Sequence, residues 1–91
     1  MPIDIYIDES NERIEYLCDG IWDLPNQIDS LEKWLSTKGT LLPKGSYVAD
    51  IGFDIRKDAA GGGAVLSHEC MKIMGDIGMS IYFSEYPESL E

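Results

Sequence analysis

The chain has 91 residues, 44 % of them apolar, and sets 17 Asp and Glu against seven Lys and Arg for a formal net charge of −10. This length allows one domain, residues 1–91, with one modest core, and the apolar content is too high for a disordered acidic tail. The charge disfavours nucleic acid and anionic membrane as ligands and favours cations and basic proteins.

The first strand is written in Ile3, Ile5 and Ile7, which alternate with Asp4, Tyr6 and Asp8. Such alternation marks a half-buried strand. Glu9-Ser10-Asn11 is a polar turn, and Arg13 to Cys18 alternates again, placing Ile14, Tyr16 and Cys18 on one face. Two alternating runs around a short polar link predict an antiparallel hairpin. Asp19-Gly20 marks a further turn, beyond which Ile21-Trp22 could continue the strand.

A helix is expected over 25–38, capped by Asp23 or Asn26 with Pro25 in its first turn. Ile28, Leu31 and Leu35 form its apolar stripe, widened by Trp34, and Asp29 to Lys33 is an i,i+4 ion pair. Lys38 sits in its last turn and Gly39 closes it. After a loop at 40–46, Tyr47, Ala49, Ile51, Phe53 and Ile55 form the core side of a strand whose other side carries Val48, Asp50, Gly52, Asp54 and Arg56. A loop over 57–64 contains Gly61-Gly62-Gly63. Ser67 caps a second helix, 68–77, that packs Met71, Met74 and Ile77 and ends at Gly78. Met79, Ile81 and Phe83 form a last strand, with Ser80, Tyr82 and Ser84 opposite, and Pro87 stops it.

The order β-β-α-β-α-β predicts an α+β fold: a four-stranded, mainly antiparallel or mixed sheet with both helices on one face. The other face is then open, with Tyr6, Glu15, Asp50, Asp54, Tyr82 and Ser84 as its candidate residues.

Chemistry-bearing patterns are sparse. Asp8, Ser10 and Glu12 have the 1-3-5 spacing of a calcium loop, but Arg13 stands where the turn glycine belongs and the flanks read as strands. One His and two distant Cys do not make a zinc site. His68 and Cys70 point about 200° apart on a helix and cannot pair directly. The glycine triplet precedes a helix yet lacks the Lys and Ser/Thr of a phosphate loop. Asp50 and Asp54 share a strand face at about 13 Å, too far for a two-carboxylate hydrolase. No metal, cofactor or catalytic residue is expected.

No segment approaches the roughly 18 consecutive apolar residues that cross a bilayer. Met1-Pro2-Ile3-Asp4 lacks the basic and apolar regions of a secretory leader, so a cytoplasmic location is expected, with Cys18 and Cys70 as reduced thiols. The charge is also unevenly placed. Residues 1–32 hold Asp4, Asp8, Glu9, Glu12, Glu15, Asp19, Asp23, Asp29 and Glu32 against Arg13 alone. Tyr6, Tyr16, Trp22, Tyr47, Tyr82 and Tyr86 lie among acids, a mixture suited to binding a basic protein quickly.

In size and charge the chain resembles the immunity proteins of bacterial toxin–immunity systems, including contact-dependent growth inhibition. The segments IDSLEKWL, YVADIGFDIR, LSHECMKIMGDIG and MSIYFSEY are similar to the C-terminal half of an uncharacterised bacterial family found near such toxins. The resemblance implies a binding module and transfers no residue roles.

The expectation is therefore an immunity protein that neutralises a basic toxin domain, a nuclease, by occluding its active site. Its contact surface is expected to comprise Asp8, Glu9, Glu12, Glu15, Asp19 and Asp23 with Trp22 as anchor, and Asp50 and Asp54 as a second choice. The alternatives are a phage-encoded inhibitor of a nucleic-acid-binding complex, an acidic adaptor subunit, and a small enzyme or ligand-binding domain using Cys18 and His68. An exposed face or edge could also carry a homodimer.

Overall fold

The computed structural model describes residues 2–55, 60 and 63–86. Their order is β1 (Ile3–Ile7), β2 (Arg13–Leu17), α1 (Leu24–Thr37), a 3-10 turn (Gly39–Leu41), β3 (Tyr47–Asp54), α2 (His68–Ile77) and β4 (Met79–Tyr86). The four strands form one mixed sheet in the order β2-β1-β3-β4. β1 is antiparallel to both β2 and β3, while β3 and β4 are parallel. A parallel pair needs a crossover, and α2 supplies it.

Both helices cover one face. Ile3 and Ile5 of β1, Ala49 and Ile51 of β3, Ile28, Leu31 and Leu35 of α1, and Met74 and Ile77 of α2 share a single buried cluster. The expected fold is the observed one, with six local corrections. Met71 is 53 % exposed, and Cys70 takes the inward position expected of it. Ile55 lies beyond β3 and is exposed. Among the described residues the i,i+4 ion pair is Lys72–Asp76 on α2 (3.1 Å), not Asp29–Lys33 on α1.

The fourth correction concerns β2. The β1–β2 register shifts between Ile5 and Tyr6, so Ile5 faces Glu15 while Tyr6 faces Arg13. This bulge leaves Ile14 as the extra residue and reverses the side-chain parity beyond it. Ile14 and Leu17 pack against the core, Glu15 turns toward the helices, and Tyr16 lies opposite Asp4 on the other face. Ile14, Tyr16 and Cys18 therefore do not share a face. The fifth is Ile21-Trp22, which is not part of β2; it runs beside the end of β3, where the Asp54 N–H donates to the Trp22 carbonyl (3.0 Å).

The caps are mostly those written in the sequence. Asp23 accepts from the Asn26 N–H at the start of α1, and Ser67 accepts from the Cys70 N–H at the start of α2. Gly78 ends α2 with φ +89°. Gly39 does not act as a left-handed cap. It is buried under the end of α1, where a Cβ would sit 2.9 Å from Leu35 Cδ2. Gly61, Gly62, the loop residues 56–59 and Pro87 lie outside the described residues.

Gly78 is constrained twice. Its φ disfavours any L side chain, and a Cβ there would meet the Gly45 carbonyl oxygen of the loop before β3. That loop is tied on both sides, by Gly45 N–H to the Ile77 carbonyl (2.8 Å) and Tyr47 N–H to the Gly78 carbonyl (2.9 Å). Gly78→Ala is expected to destabilise the fold by more than about 1 kcal/mol. Urea unfolding checks this; a change within about 0.5 kcal/mol, the usual surface range, contradicts it.

Gln27 is the one fully buried polar side chain among the described residues. Its Nε2 donates to the Ile21 and Gly52 carbonyls, both at 2.8 Å. It thus clamps the segment before α1 onto β3. Gln27→Leu leaves two carbonyls without that donor and is expected to cost about 2–4 kcal/mol. An unfolding midpoint equal to the wild type's would remove the clamp from the account.

Candidate protein-binding surface

The sheet face away from the helices is set by strand parity. Ile3, Ile5, Ala49 and Ile51 point to the core, so Asp4, Tyr6, Val48 and Asp50 point outward. Register then builds one continuous row across all four strands: Tyr16 opposite Asp4, Asp4 opposite Asp50, and Asp50 opposite Tyr82. Two carboxylates stand side by side at its centre, with a tyrosine at each end.

Like charges directly opposite on neighbouring strands are destabilising. Among the described residues a cation offsets this on one side only. Arg13 Nε reaches Asp4 Oδ1 at 2.7 Å, and the Arg13 guanidinium stacks over Tyr16, 4.9 Å from its ring centre. Asp50 accepts only from the Ser84 hydroxyl, at 3.3 Å, among the described residues. In the next row Tyr6 lies opposite Val48, which is buried although it faces outward. The face is therefore part aromatic, part acidic.

Burial raises the Tyr6 phenol above its ordinary 10.0, and Asp50, Tyr82, Asp8 and Asp4 add to the rise. Burial also raises Tyr16, helped by Asp19 and Asp4 and opposed by Arg13. Both phenols thus stay neutral donors beside the carboxylates at physiological pH. A raised folded-state value gives stability that is complete below 10.0 and lost as pH climbs through the folded value. Alkaline unfolding is expected to be shallower in Tyr6→Phe than in the wild type. Parallel curves above pH 10.0 would show that Tyr6 is not held in this field.

A second feature lies at the end of the sheet. Trp22, Asp23, Phe53, Asp54 and Glu85 line a cleft of about 350 Å³. Trp22 meets Tyr86 edge to face at 5.6 Å, and Phe53 meets Phe83 likewise at 6.3 Å. One oxygen of Asp54 is buried without a hydrogen-bond partner among the described residues. An aromatic wall with carboxylates at its rim suits the stem and head of a Lys or Arg side chain.

The residues expected from sequence fall into distinct places. Trp22, Asp23 and Asp54 come together in the cleft. Asp50 sits at the centre of the outer face. Asp8, Glu9 and Glu12 are exposed in the β1–β2 hairpin, at the opposite end of the sheet from the cleft. Glu15 is not on the open face: its Oε1 accepts from Trp34 Nε1 of α1 at 3.3 Å. Asp19 is exposed in the turn after β2. The N-terminal acids thus do not make one patch. Asp4 and Tyr16 join the outer face; the alternation of Ile3 and Ile5 already marked Asp4 as outward, but only the β1–β3 register shows what it faces.

The other chemistries have little support in the geometry. Among the described residues no three His, Cys, Asp or Glu side chains gather as metal ligands. In the hairpin, Ser10 Oγ accepts from the Glu12 N–H (3.2 Å). His68 is exposed and approaches Glu69 at 3.8 Å. Cys70 is buried, and burial raises its thiol above the ordinary value despite the Ser67 hydrogen bond. A neutral-pH alkylating reagent is expected to modify half-buried Cys18 before Cys70; faster reaction at Cys70 would contradict this assignment. No helix among the described residues is long and apolar enough to cross a membrane. No family model matches the chain, and neither does any curated protein or solved structure.

Proposed function

We propose that this domain is an immunity protein that binds a basic toxin domain, a nuclease, and blocks its active site in the cytoplasm. The observation that carries this reading is the Asp4–Asp50 pair at the middle of a tyrosine-flanked sheet face that no helix among the described residues covers. Arg13 already answers Asp4, whereas Asp50 meets no cation among the described residues and would gain from a partner bringing Lys or Arg. The basic groups with which a nuclease holds phosphates are the natural counterpart, so the face acts as a charge mimic of nucleic acid. The cleft at Trp22, Asp23 and Asp54 gives an anchored partner side chain a place to enter.

The test is a pull-down from the producing cell with tagged domain, washed at rising salt, followed by assay of the captured protein's nuclease activity. One basic protein is expected, released as salt rises and inhibited when the domain is returned. Asp50→Ala is expected to weaken its capture by roughly 2–5 kcal/mol. Absence of a basic partner at low salt, or capture unchanged by substitutions at Asp4, Asp50 and Asp54 together, would overturn the proposal.

A further inference from the structure

Among the described residues the β4 edge of the sheet is open. In a parallel ladder each residue turns its N–H and C=O to the same side. Tyr47 N–H donates to the Gly78 carbonyl and Ile55 N–H to the Tyr86 carbonyl, so the even-numbered residues of β4 engage β3. Met79, Ile81, Phe83 and Glu85 therefore direct their backbone groups away from the sheet. Among the described residues no strand pairs with that side.

Natural edges are blunted by short length, lysine, proline or a bulge. The β2 edge has such devices: it spans five residues, carries Arg13 and Glu15, and contains the bulge. The β4 edge spans eight residues in unbroken register with β3, and holds no Lys, Arg or Pro. Met79 is buried, but Tyr82 is 48 % and Phe83 53 % exposed.

We infer that this edge pairs with β4 of a second copy, antiparallel about a two-fold axis, to give a continuous eight-stranded sheet. Charge selects the occupant. A basic partner finds its counter-charge on the outer face and in the cleft, whereas β4 has one acid, Glu85, in eight residues. The net charge of −10 on each copy opposes association at long range, but the strand itself brings only one acid per copy to the seam. An isologous interface also uses the same groups on both sides. The register that pairs all four outward residues sets Phe83 against Ile81 of the second copy and Met79 against Glu85. Tyr82 then faces its own counterpart across a non-hydrogen-bonded position, with Cα atoms about 4.5 Å apart.

Sedimentation velocity of the full chain over a range of concentrations is expected to show a species of twice 10.2 kDa. Phe83→Pro removes an outward N–H and leaves the β3 ladder intact, so it is expected to halve the mass while preserving the circular dichroism spectrum. Phe83→Lys provides the same readout should the proline variant not fold. In a Cys18→Ser, Cys70→Ala background, Tyr82→Cys is expected to form an intermolecular disulfide on mild oxidation. A wild type that stays monomeric at every concentration, a folded Phe83→Lys that stays dimeric, or a Tyr82→Cys that stays unlinked would overturn the inference.

Discussion

The pairing of β1 with β3 determines both sides of this sheet at once. Ile3 must meet Ile51 and Ile5 must meet Ala49 for the core beneath α1 and α2 to close. A strand has a period of two, so that same register brings Asp4 to Asp50 on the other side. Slipping the strand by one residue would separate the carboxylates and empty the core. The opposed acids are thus enforced by the fold, and only substitution can remove them. That they are acids, where Thr or Ser would serve a solvated face, is what supports the proposal of a basic partner.

The second constraint is how little chain holds the two ends of the sheet. At one end Gly78 lets α2 turn into β4 close against Gly45, and the bonds there set the starts of β3 and β4 level. At the other end Gln27 holds the backbone at Ile21 and Gly52, which places Trp22 and Asp54 at the mouth of the cleft. Glu32 of α1 accepts from the Ser67 N–H (2.7 Å) and so joins the two helices at the start of α2. A carboxylate used in this way, like Glu15 on Trp34, is structural. The acidic excess thus divides between acids that brace the helices and acids left facing solvent.

Much of the architecture was legible in the sequence because its signals are local. Alternating isoleucines marked β1, Asp23 and Ser67 marked the helix starts, and Gly78 marked the end of α2. The errors came from non-local causes. Nothing in Arg13 to Cys18 announces the bulge, which arises from pairing with β1 and turned Glu15 inward and Tyr16 outward. Gly39 has the sequence position of a helix cap but owes its place to the side chains of Trp34 and Leu35. The candidate site was legible in part for the same reason. Trp22 and Asp23 are neighbours in sequence, but their meeting with Asp54, and that of Asp4 with Asp50, depends on strand order.

Keeping carboxylates at the middle of the outer face for a partner, at the expense of the isolated domain, is the trade that the proposed function requires. Its most direct test is the unfolding free energy of Asp50→Asn in the absence of any partner, measured at low and at high salt. Relief of a directly opposed like-charge pair should raise stability by roughly 0.2–1 kcal/mol at low salt. The gain should shrink as salt screens the charges. A variant less stable than the wild type at low salt would show that Asp50 serves the fold, and would contradict the claim.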